Sequence, residues 1–504
     1  MKILLTDQIR ETDKRTVYLE GISTTDLMDR AALALFKRIV DDIKLNEKIL
    51  VVTGPGNNGG DALVIARLLI EAGYHVQILL CYQDKKPSND SNIQLKRLKI
   101  IKEANIISLK NKDGLYSIKG FNYIIDGLFG SGLNRPLEGY FAEIVQWINV
   151  QKVTKISIDL PSGLFGEDNR QNISENIVRS NIVFGLQFPR LSFLLAENEQ
   201  YISKWELVDI AIHPHAIEKI QTPYSFTEID EVRSIHKKRA CFSHKGTYGK
   251  GLLIAGSPGM MGAAVLATKG ALRSGIGLLS VRIPASETQI VQIAVPEALV
   301  QKYNNASFWE EADTLSLSNY SAIAIGPGIG TDKAQILSLK NFLKQIPEKL
   351  ILDADALNII SENRDLIGLL PKNTILTPHP KEFDRLVGMK SDTDYERLEK
   401  AIRFACSNQV YMVLKGAYTA CITPDGLCAF NSTGNPGMAT GGSGDVLTGI
   451  ILSLLAQGYD PQEACKLGVY LHGLSGDLTL KDQSEESLLA GDIAENLGKA
   501  FRQL

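Results

Sequence analysis

The chain has no excess of positive charge and no long hydrophobic run. Its 504 residues carry a formal net charge of −3, so no basic field is present that would attract nucleic acid or an anionic membrane. No apolar stretch approaches the ~20 residues that span a bilayer, and residues 1–8 become polar too early for a signal peptide. We therefore expect a cytoplasmic protein with no nucleic-acid partner and no membrane partner.

Cysteine is also scarce. The six cysteines are scattered and form no C-x-x-C pair or Cys/His cluster, which argues against a zinc site and a disulfide framework and favours a reducing cytosol. The composition, 44% apolar and 22% charged, is ordinary for a globular protein. The length suggests two to four domains at roughly 100–200 residues each.

The hydrophobic pattern alternates between short β-rich runs and helical spacing in both halves of the chain. In the first half it predicts a helix at residues 61–72 and strands at residues 49–53, 76–81, 122–125 and 155–158. In the second half it predicts a helix at residues 263–272 and strands at residues 251–255, 278–283, 322–325, 349–352, 374–376 and 411–414. Such alternation is typical of parallel sheets wrapped by helices.

A polar stretch from residue 212 to residue 247 separates the two halves. It contains His213 and His215, and a basic run at residues 236–239 that we interpret as a solvated face. We place the domain boundary near Thr222. The sequence thus predicts an α/β fold class with two domains, residues 1–221 and 222–504, each large enough for its own core.

The loop after the first predicted strand has the form of a dinucleotide fingerprint. Gly54, Gly56 and Gly59 satisfy G-x-G-x-x-G between a strand and a helix. Asp84, after the next strand, is a possible ribose-binding acid, so a Rossmann dehydrogenase is one interpretation. Against it, Asp61 places a negative charge where a pyrophosphate would sit.

Carboxylates also follow two later strands of this domain. Asp126 and Asp159 each end a strand and precede glycine-containing turns, the second of which holds Ser162. Because ligands bind beyond the carboxyl ends of parallel strands, we expect these groups to converge with the amide of Asn58. Carboxylate, amide and hydroxyl oxygens suit a hard cation. The alternative is that each aspartate only caps the next helix.

These segments resemble a known family. Residues 54–61 (GPGNNGGD), 126–132 (DGLFGSG) and 159–163 (DLPSG) are similar to the three signatures of the NAD(P)H-hydrate epimerases, and residues 27–32 (LMDRAA) to their first helix. The resemblance implies a Rossmann-like domain over roughly residues 1–215, in which Asn58, Asp126 and Ser162 hold K⁺. It also implies that the hydrated dinucleotide contacts Asn57, Asn58, Gly59, Gly60, Asp61, Gly130, Ser131, Gly132, Leu133, Asn134, Arg135, Pro136 and Asp159.

The reaction that this resemblance implies needs a carboxylate. Interconversion of the R and S hydrates removes and restores a hydroxyl at one ring carbon through a cationic iminium. A carboxylate could stabilise that cation and move the proton, an effect of about 10²–10⁴-fold, and we assign this role to Asp159. Ala62 stands where many family members carry glycine, a difference that a helix start tolerates.

The most glycine-dense segment of the chain precedes a hydrophobic helix. Residues 435–449 (NPGMATGGSGDVLTG) run into apolar positions at helical spacing, and Asp445 stands at the predicted helix start. Glycines let backbone N–H groups approach an anion, and a helix N-terminus adds partial positive charge. An anion cradle beside a base is what phosphoryl transfer to an alcohol requires. The alternative is that Asp445 is an ordinary N-cap.

Further segments at predicted strand ends resemble the ribokinase-like superfold, and within it the ADP/ATP-dependent NAD(P)H-hydrate dehydratases, over roughly residues 225–504. They are residues 256–262 (GSPGMMG), 324–330 (AIGPGIG), 352–358 (LDADALN), 377–383 (TPHPKEF) and 415–419 (KGAYT). Taken alone, His379 is more often structural than catalytic. Lys381 stands where many members carry glycine.

The dehydratase resemblance implies that Asp445 removes the proton from the ring hydroxyl of the hydrate while ADP or ATP, with Mg²⁺, phosphorylates it. Glu382 is a candidate Mg²⁺ ligand. The nucleotide-binding residues would be Lys415, Gly416, Ala417, Tyr418, Thr419, Asn435, Gly437, Gly441, Gly442, Ser443 and Gly444. The hydrate-binding residues would be Gly326, Gly328, Thr377, Pro378, His379, Pro380, Lys381, Glu382, Phe383 and Asp445. The small-molecule partners are then NADHX, NADPHX and ADP or ATP, and the resemblance suggests a homo-oligomer.

Two other functions stay open at this point. The first is a ribokinase-like small-molecule kinase fused to a dinucleotide-binding domain, which would leave a stable phosphorylated product. The second is a non-enzymatic dinucleotide-binding protein with decayed sites. The intact carboxylates Asp126, Asp159 and Asp445 argue against decay.

Overall fold

The computed structural model describes residues 1–83, 85–304, 307–309, 316–345 and 349–504. Asp84, the possible ribose-binding acid, lies outside the described residues. The chain forms two compact units, one of Lys2–Thr222 and the other of Met1 with Pro223–Leu504. Of the described helices, none is both long and apolar enough to cross a membrane.

The N-terminal unit is a parallel sheet with helices on both faces. In its described residues the sheet has the strand order β3-β2-β1-β4-β5-β6-β7, and every pairing is parallel. The strands are β1 (Lys48–Thr53), β2 (His75–Leu80), β3 (Asn105–Ser108), β4 (Tyr123–Gly127), β5 (Thr154–Ile158), β6 (Ile182–Leu186) and β7 (Trp205–Val208). The α-helices are α1 (Thr6–Glu20), α2 (Thr24–Ile39), α3 (Asn57–Glu71), α4 (Asn89–Lys99), α5 (Gly139–Val150) and α6 (Pro214–Lys219).

The central strands are apolar on both faces because helices cover both sides of the sheet. In β1, Ile49 and Val51 are buried in a core with α2 and α3, whereas Leu50 and Val52 are buried in a second core with α5. The sequence-predicted strands of this half are confirmed as β1, β2, β4 and β5. The hydrophobic pattern missed β3 because none of its four residues is fully buried.

The C-terminal unit is built on a mixed sheet. Its described strands lie in the order β11-β10-β9-β12-β13-β14-β15-β16-β17-β8, parallel except for the β15–β16 and β16–β17 pairs. The strands are β8 (Tyr224–Thr227), β9 (Lys250–Ile254), β10 (Leu278–Pro284), β11 (Leu299–Tyr303), β12 (Ala322–Ile325), β13 (Leu350–Leu352), β14 (Ile375–Leu376), β15 (Tyr411–Leu414), β16 (Ala420–Ile422) and β17 (Cys428–Asn431).

The α-helices of this unit are α7 (Ile229–Ile235), α8 (Met261–Arg273), α9 (Thr288–Ala294), α10 (Lys333–Leu343), α11 (Asp355–Glu362), α12 (Pro380–Val387), α13 (Asp394–Asn408), α14 (Ser443–Ala456), α15 (Pro461–Thr479) and α16 (Ala490–Phe501). The six strands predicted for this half are confirmed as β9, β10, β12, β13, β14 and β15. The polar stretch at residues 212–247 contains α6, β8 and α7. Its basic residues Lys237, Lys238 and Arg239 are exposed, as predicted.

Helix α14 is the central helix of the C-terminal unit. Val446–Ala456 are all buried, as expected of a helix that is apolar on every side. Its crossing with α8 is close because each helix supplies a glycine: a Cβ on Gly449 would lie 2.0 Å from the Ala267 carbonyl oxygen, and one on Gly270 would lie 2.5 Å from that of Val446. This packing fixes the N-terminal end of α14, where Asp445 lies.

Candidate active sites

The N-terminal unit has a cavity of about 650 Å³ at the carboxyl ends of its central strands. Strand β1 lies between β2 and β4, so the strand order changes direction there, which is where open α/β sheets bind ligands. Of the expected epimerase residues, the cavity is lined by Asn57, Asn58, Asp61, Gly130, Ser131, Gly132, Leu133 and Asp159. It is not lined by Gly59, Gly60, Asn134, Arg135 or Pro136.

The loop before α3 is closely packed against the end of β4. A Cβ on Gly54 would lie 1.8 Å from the Leu128 carbonyl oxygen, and one on Gly59 would lie 1.9 Å from that of Gly54. Gly56 is the N-cap of α3, so Asp61 is the fifth helical residue and not the cap. Burial raises the pKa of Asp61 well above its ordinary value, and the nearby Asp159 carboxylate adds to the rise.

Asp126 and Ser162 form a buried polar cluster. The Asp126 carboxylate accepts hydrogen bonds from Ser162 Oγ (2.5 Å), Ser162 N (2.8 Å), Ser157 Oγ (2.8 Å) and Leu128 N (3.2 Å). Burial raises the pKa of Asp126, while the hydrogen bonds oppose the rise. All of these donors are neutral, so none of the hydrogen-bond partners of the buried Asp126 carboxylate carries a positive charge.

Asn58 supplies an unsatisfied amide in the same region. Its Nδ2 is buried and has no hydrogen-bond partner among the described residues. The Asn58 side chain lies against Gly130, where an added Cβ would come within 3.0 Å of Asn58 Cγ. The Asp126 carboxylate, the Asn58 side-chain carbonyl and the Ser162 hydroxyl supply oxygen atoms of the kind that a hard monovalent cation takes as ligands, whereas the unpartnered Asn58 Nδ2 is a donor that needs an acceptor. The described residues contain no group of three or more His, Cys, Asp or Glu side chains that could hold a metal ion.

Asp159 is held in an unusual backbone conformation. Its φ is +66°, and the Leu160 N–H donates to the Ile158 carbonyl at 2.8 Å, which closes a strained γ-turn around it. The side chain is buried. One carboxylate oxygen pairs with the Arg190 guanidinium, and the other accepts from Ser131 N at 3.3 Å. Asp159 therefore caps no helix and faces the cavity with a cationic partner.

Two charged residues of this site were missed from the sequence. Asp13 on α1 and Arg190 after β6 both line the cavity. Burial raises the pKa of Asp13 to about 6, with the Arg190 guanidinium opposing the rise and the Asp159 carboxylate adding to it. Neither residue belongs to a glycine-rich motif. The only sequence signal is one of several acids on a helix and an Arg that follows a strand and a proline.

In the C-terminal unit, the glycine-rich loop begins α14 as predicted. Gly442 is the N-cap with φ +92°, and Ser443, Gly444 and Asp445 form the first turn. Asp445 is therefore not the cap. The first N–H groups of a helix have no intrahelical acceptor, so the backbone of this turn can receive an anion. A Cβ on Gly442 would lie 2.3 Å from Leu266 Cδ1.

An ion pair lies directly beside this helix start. Lys415, which follows β15, places Nζ 3.0 Å from Asp353 Oδ1. The other Asp353 oxygen accepts a 2.6 Å hydrogen bond from Thr448 Oγ1 of α14. Burial raises the pKa of Asp445 to about 7; the Asp353 carboxylate adds to the rise, and Lys415 opposes it. A Cβ on Gly444 would lie 3.2 Å from Lys415 Nζ, so the ammonium group lies against the cradle.

His379 and Glu382 form a capping box at the start of α12. His379 Nδ1 accepts from Lys381 N (3.1 Å) and Glu382 N (3.2 Å), and Glu382 Oε2 accepts from His379 N at 2.8 Å. Burial lowers the pKa of His379, and the Glu382 carboxylate opposes this. Glu382 Oε1 lies 3.4 Å from His379 Nε2. The structural interpretation of His379 is thus supported, and both oxygens of Glu382 already have partners.

The other residues of the segment at 377–383 that were expected to bind the hydrate have different surroundings. Thr377 and Phe383 are fully buried, and Phe383 packs edge-on against Phe404. The Pro378 carbonyl accepts from Lys415 N at 2.9 Å, so this loop and the Lys415 loop are directly joined. Lys381 is exposed.

The strand ends of β12 and β13 approach each other closely. A Cβ on Gly326, whose φ is +138°, would lie 1.8 Å from the Asp353 carbonyl oxygen, and one on Gly328 would lie 2.9 Å from that of Met260. Ala354, between the two aspartates, has φ +46° and ψ −117°, which is strained for a residue with a side chain. Asp355 accepts from Gly330 N at 2.9 Å. Strain at this strand end is consistent with a ligand site.

The loop at residues 434–444, which the sequence predicts to bind the nucleotide, has two supports that the sequence did not indicate. Asp477 of α15 accepts from Gly434 N (2.9 Å) and Asn435 Nδ2 (3.0 Å), and Asn435 Oδ1 accepts from Gly437 N. His472, also on α15, donates from Nε2 to the Ser443 carbonyl at 2.9 Å. Burial lowers the pKa of His472 to about 4, so it is neutral at pH 7.

Other residues expected to bind the nucleotide lie in the turn after β15. Thr419 Oγ1 donates to the Gly416 carbonyl at 3.0 Å, which closes the turn at residues 415–419. Ala417 and Tyr418 lie within that turn, and Tyr418 packs 6.3 Å from the Phe226 ring between centroids. A Cβ added to Gly441 would have no other atom within 4 Å.

Comparison with known proteins agrees with this two-site geometry. The family model described as YjeF-related protein N-terminus matches residues 24–192, and the model described as NAD(P)H-hydrate dehydratase matches residues 251–499. The chain is 31% identical over 513 aligned residues to the bifunctional NAD(P)H-hydrate repair enzyme of Thermofilum pendens, covering 100% of this chain and 97% of the relative. The chain belongs to the bifunctional NAD(P)H-hydrate repair enzyme family.

Other members and solved structures are similar to the chain. The repair enzyme of Moorella thermoacetica is 32% identical, covering 95% of this chain and 92% of the relative. A ribokinase-like superfamily protein from Enterococcus faecalis superposes with a TM-score of 0.50 at 28% identity, over 56% of this chain and 98% of that chain. The ADP/ATP-dependent NAD(P)H-hydrate dehydratase of Bacillus subtilis, co-crystallised with ATP/Mg²⁺, has a TM-score of 0.49 at 36% identity, over 55% and 98%. The C-terminal unit is ribokinase-like.

Proposed function

We propose that the chain repairs hydrated nicotinamide cofactors with two activities. The N-terminal unit epimerises the R and S forms of NADHX and NADPHX, and the C-terminal unit dehydrates the S form at the expense of ADP or ATP. The observation that carries the proposal is the placement of Asp445 in the first turn of α14, beside Lys415 and the Asp353 carboxylate. This arrangement combines an anion cradle with a base in a chain whose full-length relatives are repair enzymes.

For the dehydratase, Asp445 accepts the proton of the ring hydroxyl while the hydroxyl oxygen attacks the terminal phosphorus of the nucleotide. The N–H groups of the first turn of α14 and the Lys415 ammonium offset the negative charge on the transferring phosphoryl group. The ring nitrogen lone pair then expels phosphate from the adjacent carbon. Loss of a proton from the neighbouring ring carbon restores the double bond of NADH or NADPH.

Mg²⁺ would enter this site with the nucleotide. We propose that it binds chiefly through the phosphates, because Mg²⁺ in such sites keeps several waters and takes one or two carboxylates. Glu382 is a poor ligand in this geometry since both of its oxygens have hydrogen-bonding neighbours. The turn at residues 415–419 and the loop anchored by Asp477 are the segments that would hold the rest of the nucleotide.

For the epimerase, we propose that Asp159 stabilises the iminium that forms when the hydroxyl leaves the ring. Its strained γ-turn and its contact with Ser131 N fix the carboxylate at the cavity wall. Water then adds back to either face of the ring, which interconverts the two hydrates. The fixed carboxylate provides charge stabilisation without reorganisation during the reaction.

We propose K⁺ as the resident cation of the epimerase, held by Asn58, Asp126 and Ser162. The support is the buried Asp126 carboxylate, whose hydrogen-bond partners are all neutral, together with the hydroxyl oxygen of Ser162 beside it. Such a cation would supply fixed positive charge beside the cavity. The oligomeric state, the cytoplasmic location and the boundary between residues 221 and 222 stay predictions from the sequence.

The test of the proposed function uses the purified chain and a mixture of R- and S-NADHX. Without nucleotide, the protein should equilibrate the two hydrates. With ADP or ATP, it should restore the near-ultraviolet absorbance of the reduced nicotinamide and release phosphate. A ribokinase-like kinase would leave a stable phosphorylated product with no absorbance gain, and a decayed binding protein would do neither.

A further inference from the structure

The epimerase cavity is lined by more ionisable side chains than the sequence motifs supply. Asp13 and Arg190, from segments 177 residues apart in the chain, both line the cavity that Asp159 and Asp61 line. Asp13 is half-buried on α1, and its charge is coupled to those of Arg190 and Asp159. These residues therefore belong to the same site.

Arg190 is a buried arginine that is only partly satisfied. Its side chain is 2% exposed and pairs with Asp159 through Nη2. Neither Nε nor Nη1 has a hydrogen-bond partner among the described residues. A buried charged donor without an acceptor is unfavourable, so a ligand with an acceptor oxygen, or water, is expected in the cavity next to Arg190.

The carboxylates of Asp13 and Asp159, which line the same cavity as Arg190, differ in their surroundings. Asp159 has the guanidinium and a backbone N–H as partners. Asp13 has no hydrogen-bond or ion-pair partner among the described residues, and burial raises its pKa to about 6. When two acids of one site differ in this way, the paired acid typically keeps a fixed charge and the unpaired acid carries the proton.

We propose that Asp13 is the proton-transfer residue of the epimerase. In the same proposal, Arg190 is a positioning residue that holds the Asp159 carboxylate in place through their ion pair. This inference rests on the proposed epimerase function. The protonated Asp13 carboxyl gives its proton to the departing ring hydroxyl. The carbon–oxygen bond breaks, water leaves, and the ring nitrogen lone pair forms the iminium. On return, water adds to either face and Asp13 takes its proton, so the atoms and charges balance.

Other charged groups face Asp13 across the cavity and affect its titration. Those that line the same cavity are Arg10, Asp61, Lys85, Lys86, Asp159 and Arg190. Asp61 is buried, and burial raises its pKa well above the ordinary value. Asp13 is the more accessible of the two acids, so it can exchange its proton with solvent between turnovers.

The first experiment measures R/S equilibration of NADHX by the full chain without nucleotide, against a no-enzyme blank. D13N should slow the reaction at least 100-fold at pH 7, since general acid–base catalysis contributes about 10²–10⁴-fold. D13E should stay within about tenfold of wild type because it keeps the carboxyl group. The matched control is E11Q on the same helix, outside the cavity, which should leave the rate unchanged.

The pH profile separates this role from a structural one. In wild type, the rate should fall as pH rises through about 6, because the protonated form of Asp13 supports hydroxyl departure. This limb should vanish in D13N. A wild-type rate that is constant from pH 5 to pH 8, or a D13N variant with the wild-type rate, would overturn the assignment even if other variants failed to fold.

Arg190 is tested by replacing its charge in two ways. R190M should lower the rate about 100-fold, the cost of a misplaced catalytic group, and R190K should recover most of it. Both variants should keep the dehydratase rate on S-NADHX. If R190M epimerises as wild type does, Arg190 has no positioning role. If wild type itself does not epimerise, the proposed function fails, which is distinct from failure of the Asp13 assignment.

Discussion

Lys415 Nζ lies 3.0 Å from Asp353 Oδ1, and the second oxygen of Asp353 accepts a 2.6 Å hydrogen bond from Thr448. This chain of contacts joins the ends of β15 and β13 to α14. It fixes a positive charge against Gly444 in the first turn of α14, where the transferring phosphate would lie. Asp353 thus positions the lysine through one oxygen and the catalytic helix through the other.

Removing the lysine charge should destabilise the C-terminal unit. In K415M, the buried Asp353 loses its cation, and breaking such a pair costs about 3–5 kcal/mol; we expect about 3 kcal/mol because Lys415 is 21% exposed. Hydrogen–deuterium exchange of residues 411–456 should speed up accordingly. The control K340M breaks an exposed pair with Asp365, which is worth about 1 kcal/mol or less. Equal effects of the two variants would contradict the role of Asp353.

Replacing the base should separate binding from turnover. D445N keeps the shape of the first turn of α14 but cannot accept the hydroxyl proton. We expect nucleotide binding within about threefold of wild type and a dehydratase kcat reduced about 10²–10⁴-fold. Titration calorimetry and phosphate release measure the two quantities. The epimerase rate of the same preparation is the internal control, and a D445N variant with wild-type turnover would refute the assignment.

The dehydratase should lose activity below neutral pH. Burial raises the pKa of Asp445 to about 7, and a general base works in its ionised form. As pH falls through 7, kcat/KM should therefore decrease, approaching about tenfold per pH unit. The measurement uses S-NADHX at saturating nucleotide, with substrate stability checked at each pH. A profile that is flat between pH 5.5 and 8 would show that Asp445 is not the titrating base.

Gly442 should be intolerant of a side chain. Its φ of +92° and the 2.3 Å approach of an added Cβ to Leu266 Cδ1 predict that G442A loses about 1–2 kcal/mol of stability and weakens nucleotide binding. The matched control is G498A in the interior of α16, where nothing lies within 4 Å of the added Cβ. That change should stabilise its helix by up to about 1 kcal/mol. Hydrogen–deuterium exchange of α14 and of α16 measures the two effects. If G442A and G498A changed the exchange rates of their helices equally, Gly442 would have no special conformational requirement.

Potassium should affect only the epimerase. Exchanging K⁺ for tetramethylammonium at constant ionic strength should slow R/S equilibration and leave dehydration of S-NADHX unchanged. D126N removes the buried negative charge, so its residual rate should no longer respond to K⁺. An equal response to K⁺ in D126N and wild type would place the cation elsewhere.

Much of the two sites could be predicted from the sequence because they lie at strand ends. Asp126, Asp159 and Asp353 each follow a buried apolar run, and within each sheet the parallel strands bring their carboxyl ends to one edge. The motif at residues 442–445 was predictable for a similar reason: its glycines and the apolar residues after it specify a loop that enters a buried helix. Their detailed roles were not predictable, since neither the γ-turn at Asp159 nor the capping box of His379 has a local pattern.

Asp13 and Arg190 could not be found from the sequence. An acid on an amphipathic helix is usually solvated, and only the tertiary packing of α1 against α2 and α6 brings Asp13 to a cavity. The strands β16 (Ala420–Ile422) and β17 (Cys428–Asn431) were also missed. Ala354 carries no signal at all, since its strained backbone follows from the close contact of Gly326 with the Asp353 carbonyl.

The most direct test of the repair function starts from pure R-NADHX. With ADP or ATP, wild-type protein should restore the full absorbance of NADH and release one phosphate per nicotinamide, because epimerisation must precede dehydration. D445N should convert R to the R/S mixture and stop there. A stable phosphorylated nicotinamide without recovery of absorbance, or phosphate release unrelated to NADH formed, would contradict the proposed function.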